Sequence, residues 1–275
     1  MYFPKLALTL CLTLLPVASN HRSASQEPAH GGREEAAFEA ASIKPRAKDS
    51  TSPSGVEIYR SGRIVLRGFN IKGLVAAAFN LPLWQIEFPE HMDETLYDVE
   101  ARAPELPQGQ EYDTRHGFWT VDDPHLKSML ISLLSDRFHM AYGWRDERGT
   151  VYILERSTKP LLLKPTTHPL SQSGGGEVSV SAGIGWSLFN ASMQDLADHL
   201  SRYTLRRPVV DKTGLEGGFY FQSRNVVTEE DYKSGVETVE GMLPEAVNEM
   251  GLKLTKTTGD VKRLTVTHIE VPSEN

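Results

Sequence analysis

Apolar positions along the chain follow two periods, and the switches between them predict the elements. Arg63-Ile-Val-Leu66, after Gly62, reads as a strand. Asn70 stands where it caps a helix from Ile71 to Leu81, with Leu74, Val75, Ala78 and Phe79 on one face and Pro82 as its stop. Leu96 to Ala101 alternates as a half-buried strand. Asp123-Pro124 opens a second helix, because a carboxylate caps and proline is tolerated in the first turn. Its Leu126, Met129, Leu130, Leu133, Leu134 and Phe138 recur at helical spacing. Met140 to Trp144 and Thr150 to Leu154 alternate about the charged run Arg145 to Gly149, which predicts a hairpin. Ahead of these, Phe38 to Pro45 reads as a short strand, because Pro45 holds Lys44 extended. Lys48 to Gly55 reads as a loop.

The same order follows downstream. Trp186 to Phe189 is a strand, and Asn190 or Ser192 caps a helix bearing Met193, Leu196, Ala197 and Leu200. Pro208 to Val210 is extended, Asp211 to Gly214 a turn, and Gly218 to Phe221 a strand. Met242 to Met250 is a helix with Met242, Leu243, Ala246 and Val247 inward, Pro244 in its first turn and Gly251 at its end. Leu252 to Leu254 and Leu264 to Val266 form a closing hairpin about Gly259-Asp260. Anchor positions correspond: Ile71 and Leu74 with Met193 and Leu196, Tyr97 and Val99 with Phe219 and Phe221, Met129 and Leu130 with Met242 and Leu243. The expectation is an α+β fold of two tandem strand–helix–strand–helix–hairpin units with mixed and antiparallel sheets, helices packed on the sheets. The units span residues 38–163 and 184–275, joined by a Gly/Ser linker at 164–183 that holds Ser171 to Gly176.

The N-terminus changes the setting. Lys5 is followed by an apolar run from Leu6 to Val17 and then by small residues, the pattern of a secretory signal peptide. Cleavage is expected after Ser19 or Ser25, with residues 1–25 as the signal and 26–37 as a disordered lead-in. The run is shorter than the ~20 residues of a membrane span. Cys11, the single cysteine, lies inside it after Leu10, where a lipoprotein signal needs a small residue. A mature chain without cysteine has no disulfide, no thiolate nucleophile and no cysteine-ligated metal. The whole chain carries a net charge of −7, and signal cleavage removes Lys5 and Arg22 but no acid. An acidic mature chain is a poor partner for nucleic acid. The expected location is therefore periplasmic or secreted.

Motifs for chemistry are sparse. There is no His-Glu-x-x-His, no Gly-x-Ser-x-Gly elbow and no Ser-x-x-Lys. Asp122, Asp123 and His125 cluster near His116, but Asp123-Pro124 is better explained as a helix cap than as a metal site. Asp198 and His199 are adjacent on a helix and so point differently. Glu229 to Asp231 reads as a solvated acidic run, and Gly174-Gly-Gly176 and Gly183-Ile-Gly185 as linker rather than phosphate loops. Asn190-Ala-Ser192 fits a glycosylation triplet, although a helix cap explains it better. Trp84, Phe88, Trp119, Trp144 and Trp186 sit near element ends, where they serve packing or line a groove. No catalytic, cofactor or metal residue is assigned, and no cofactor is expected.

Several segments together resemble a large family of exported, uncharacterised proteins expanded in soil bacteria, classed as domain of unknown function 3738. They are Phe38 to Pro45, Met129 to Phe138, Arg207 to Gly217, Gly251 to Leu254 and Pro272 to Asn275. Glu87 to His91, Ser157 to Pro160 and Phe219-Tyr-Phe221 depart from that family's pattern. Some members look joined to membrane-bound sensor peptidases, which implies envelope sensing. The family has no assigned catalytic residues to carry over. The repeat unit is also similar, at the level of architecture, to the short N-terminal domain of secretins and TonB-dependent receptors. The leading expectation is a non-catalytic binding or sensing module of the cell envelope, taking a protein or peptide partner at an exposed sheet edge or between the units. The alternative is a hydrolase of a cell-wall or extracellular polymer, working through dispersed carboxylates such as Asp98, Asp122 and Asp211 with a histidine.

Overall fold

The computed structural model describes residues 36–114, 116, 120–167, 176–181, 185–224, 228, 230, 233 and 236–272, with the side chains of 236–242 left aside. Residues 1–25, read as a signal peptide and holding Cys11, most of the expected lead-in, Trp119, the Ser171 to Gly174 stretch, Glu229, Asp231 and the Met242 side chain lie outside these residues. What is described is an α+β fold of mixed and antiparallel sheets, within one compact unit.

Helix ends lie where capping chemistry puts them. In α1, Ile71–Phe79, the Asn70 side chain accepts from Gly73 N at 2.9 Å. The helix ends at Phe79, two residues before the expected Leu81, and closes at Asn80 in the left-handed region, φ 53. In α2, Pro124–Arg137, Asp123 accepts from His125 N and Leu126 N at 2.8 and 2.9 Å. In α3, Met193–His199, Ser192 and Asp195 form a reciprocal capping box, so Ser192 rather than Asn190 is the cap. The chain then widens into a π-turn, Leu200–Thr204, closed by Leu205 N donating to Leu200 O at 2.7 Å. In α4, Val236–Glu249, Pro244 lies inside the helix instead of in its first turn, because the helix begins well before it. No helix among the described residues is long and apolar enough to cross a membrane.

Two sheets build one core each. β1 (Ala40–Pro45), β2 (Gly55–Ile58), β3 (Arg63–Phe69) and β5 (Tyr97–Arg102) make a sheet ordered β1-β5-β3-β2. Its register sets Ile43, Val99, Leu66 and Val56 in one buried row across all four strands. Leu74, Val75, Leu126 and Leu130 of the two helices share that core. β7 (Lys164–Pro165), β8 (Glu177–Ser181), β9 (Gly185–Ala191) and β11 (Phe219–Gln222) make a sheet ordered β7-β11-β9-β8. Its Leu188 and Phe221 face each other in a second core with Met193, Leu196 and Val247. β7 and β8 both fall within the segment expected to be linker.

The third sheet corrects the hairpin expectation. Residues 141–156 are one strand, β6, and residues 252–268 are one strand, β12. They pair antiparallel with each other, from Leu252 opposite Arg156 to His268 opposite Ala141. Short strands flank them in parallel, β4 (Ile86–Glu87) on β12 and β10 (Val209–Asp211) on β6. Gly149 and Gly259, each expected at a turn, instead face one another mid-ladder. A methyl group on Gly149 would stand 3.1 Å from Val261 Cγ2, and one on Gly259 would stand 3.0 Å from Val151 Cγ2. Each glycine therefore makes room for a buried valine of the opposite strand. The charges that suggested a turn pair between strands, Arg148 with Asp260, Arg263 with Glu147 and Arg145 with Glu87. The ladder also exchanges core residues. β12 sends Leu264 and Val266 into the first core, and β6 sends Leu154 into the second.

Candidate ligand-binding cleft

The site is assembled around the end of α1. Asn80 turns the chain there, and Leu81 to Trp84 leads into a 3₁₀ turn, Leu83–Gln85. Six bonds fasten residues 80–85 to distant elements. Trp84 Nε1 donates to Ser201 O at 2.9 Å, and Arg263 Nη1 donates to Trp84 O at 2.9 Å. Gln85 Nε2 donates to Lys262 O at 2.8 Å. Arg202 Nη2 donates to both Asn80 O and Asn80 Oδ1 at 2.8 Å. Asn80 Nδ2 in turn donates to Asp122 Oδ1 at 3.0 Å. The π-turn thus meets the α1 end through an Arg–Asn–Asp chain, and such turns are frequent at functional sites.

Between these elements lies a cleft of about 710 Å³. One wall is the α1 entry, Phe69, Gly73 and Ala76; the segment Leu81 to Trp84 continues it, and Arg202, Tyr203 and Arg206 close the far side. Leu83 and Tyr203 are each more than half exposed there, at 54% and 52%. No carboxylate lines the cleft among the described residues. A smaller cavity of about 320 Å³ lies beside β2, where the one cation, Arg67, is already paired with Glu57.

Behind the Tyr203 wall sits His199. Its ring lies 5.1 Å from that of Tyr203 and 5.9 Å, edge-on, from that of the fully buried Trp186. Burial pushes the imidazole down to about 4, so it is neutral near pH 7. Asp198 accepts from Gln194 Nε2 at 2.9 Å, and desolvation raises its carboxyl above the usual range, partly opposed by that bond and by Arg202. His199 makes ring contacts and Asp198 a helix-surface bond, and neither is arrayed with a nucleophile.

The other residues singled out from sequence disperse. Asp123 is a buried cap that also accepts from Asp113 N at 2.9 Å, and His125 Nδ1 stands 3.7 Å from it. No group of three potential metal ligands exists among the described residues. Asp98 accepts from Gly68 N and Arg46 at 2.8 and 3.0 Å, Asp122 from Asn80, and Asp211 from Thr213 N at 2.8 Å. Asp98 lies on β5, Asp211 on β10 and Asp122 in the loop before α2, and each is held by its own partner. Of the aromatics, Trp84 lines the cleft, Phe88 packs on the first core and Trp186 fills the second. Trp144 is exposed beneath Lys262 Nζ, 4.9 Å from its ring centre. Arg202, Tyr203 and Arg206 were not legible as site residues. Their one local signal is the density of cations in Arg202-Tyr-Thr-Leu-Arg-Arg207, just after an amphipathic helix.

Residues 72–269 match the model of a family described as protein of unknown function (DUF3738). No curated protein and no solved structure gives a significant match.

Proposed function

The chain belongs to this family of proteins of unknown function, and from that premise we propose that it is a non-catalytic binding or sensing module of the cell envelope whose ligand sits in the cleft beside α1. The observation that carries this reading is the cleft's build. A concave surface with apolar walls is held open by Arg202, which is clamped on Asn80. Such a volume suits a small molecule, for which sites of roughly 300–1,000 Å³ are usual. The catalytic candidates are each occupied by caps, turns or ring contacts. Export is supported by the apolar run from Leu6 to Val17.

A duplicated unit is part of the same proposal. Each half runs sheet strand, helix, short parallel strand, sheet strand, helix, long strand, and the two four-stranded sheets share one order of equivalent strands. The Gly149–Gly259 pair would then be the centre of the approximate two-fold relation.

Equilibrium dialysis of the mature protein against an envelope extract tests the reading, with mass spectrometry of what is retained. A retained compound that Leu83→Glu releases is the expected result. No retained compound from any extract, together with turnover of a cell-wall polymer that Asp122→Asn abolishes, would overturn it in favour of a hydrolase.

A further inference from the structure

The charge pattern of the cleft names a class of ligand, on the premise that the cleft is the binding site. Among the described residues its charged lining is two arginines and no acid, in a chain whose net charge is −7. Arg202 is committed: its guanidinium holds Asn80 and interacts with the charge of Asp198. Arg206 is not. Its side chain is exposed, and among the described residues its guanidinium has no carboxylate or carbonyl partner. Its backbone sits in the left-handed region, φ 48, which costs a non-glycine residue about 1–2 kcal/mol. Strain of this kind collects where side-chain placement matters more than local comfort.

We infer that the cleft binds a small amphipathic monocarboxylate, its carboxylate on Arg206 and its apolar body along Ala76, Leu81, Trp84 and Tyr203. A planar guanidinium matches a carboxylate through two parallel N–H···O bonds, which a point charge does not. A single uncommitted guanidinium beside apolar walls balances one negative charge. A nucleoside diphosphate or other polyanion would leave charge buried against Leu81 and Trp84 without compensation. The half-exposed Leu83 and Tyr203 are the apolar surface such a ligand would cover.

Titration calorimetry of the full mature chain tests this with decanoate and 3-phenylpropionate, and with 1-decanol as the uncharged homologue. The expected result is saturable one-to-one binding of at least one acid, with decanol at least about tenfold weaker, as the loss of a charge-assisted bond implies. Comparison of the two acids tells an alkyl from an aryl body. Arg206→Gln should weaken the acid by about ten- to a hundredfold and leave decanol unchanged, and Arg206→Lys should restore part of the loss. Leu83→Glu, a change at an exposed position with the far-ultraviolet circular dichroism unaltered, should weaken the acid similarly. Equal binding of acid and alcohol, or an Arg206→Gln variant that binds as the parent does, overturns the ligand class and leaves cleft binding standing. Absence of saturable binding by both acids also overturns the class. The binding function itself falls only if dialysis retains nothing.

Discussion

Arg202 Nη2 reaches from the π-turn to two oxygens of one residue, Asn80, and these bonds join elements more than a hundred residues apart in the chain. Arg202→Met keeps the apolar stem and removes both donors. The expected loss is about 2 kcal/mol in urea unfolding, since hydrogen bonds from a charged group contribute roughly 1.5–3 kcal/mol. Asn80→Ala should cost less in that variant than in the parent, because the Arg202 bonds are already gone, while the left-handed cap and the Asp122 bond are lost in both backgrounds. His199 gives a pH-dependent prediction. Its folded pKa, about 4, lies below its ordinary 6.5, so the unfolded chain binds the extra proton first. Stability is therefore lost as pH falls below 6.5, and the loss is complete near pH 4, at most about 3 kcal/mol. Asp198 acts with the opposite sign, since its raised pKa adds stability as pH falls through it. Comparing His199→Phe with the parent by chemical denaturation at pH 7 and pH 4.5 isolates the histidine. The variant should lose less stability over that interval.

Between α4 and β12 the chain turns at Gly251, φ 86, packed so closely that a Cβ would stand 2.5 Å from the Pro160 carbonyl oxygen. Gly214 also takes a left-handed conformation, φ 66, but has nothing within 4 Å of a would-be Cβ. The pair separates strain from crowding. Gly214→Ala should cost about 1–2 kcal/mol, the left-handed penalty alone. Gly251→Ala should cost about 2 kcal/mol more, because backbone atoms must move. Equal losses in thermal unfolding would show that α4 shifts freely on β12. The contacts of β12 argue against such freedom: its first residue, Leu252, is fully buried, and Ser157 N donates to Gly251 O at 2.9 Å.

The two cores do not separate at the chain's midpoint, because β6 belongs by sequence to one half and by packing partly to the other. Leu154 is fully buried in the second core, and Leu264 and Val266 are buried in the first. Withdrawing each such side chain costs about 1.5–3 kcal/mol, before the ladder bonds between β6 and β12 are counted. A protease site inserted between Ser171 and Gly174 and then cut should leave two fragments that elute together in gel filtration. They should come apart only in denaturant, in one transition with the intact ladder. Fragments that separate in native buffer would show that each half closes on its own hairpin.

What the residues alone determined is local. Asn70, Asp123 and Ser192 cap where the pattern placed caps, because a short polar side chain before an apolar period satisfies free N–H groups wherever it occurs. The α+β class and the buried helix faces were legible for the same reason, since periodicity reports which side is dry. Pairing was not legible. Alternation marks Met140 to Leu154 as extended but cannot say whether the strand folds on itself or on residues 252–268 a hundred positions later, since both choices bury the same face. Only the tertiary structure decided that Gly149 and Gly259 face each other. The cleft follows from that pairing, because Trp84 and Arg202 meet only once β12 and the π-turn are in place, and no local spacing encodes a contact between residues 84 and 201.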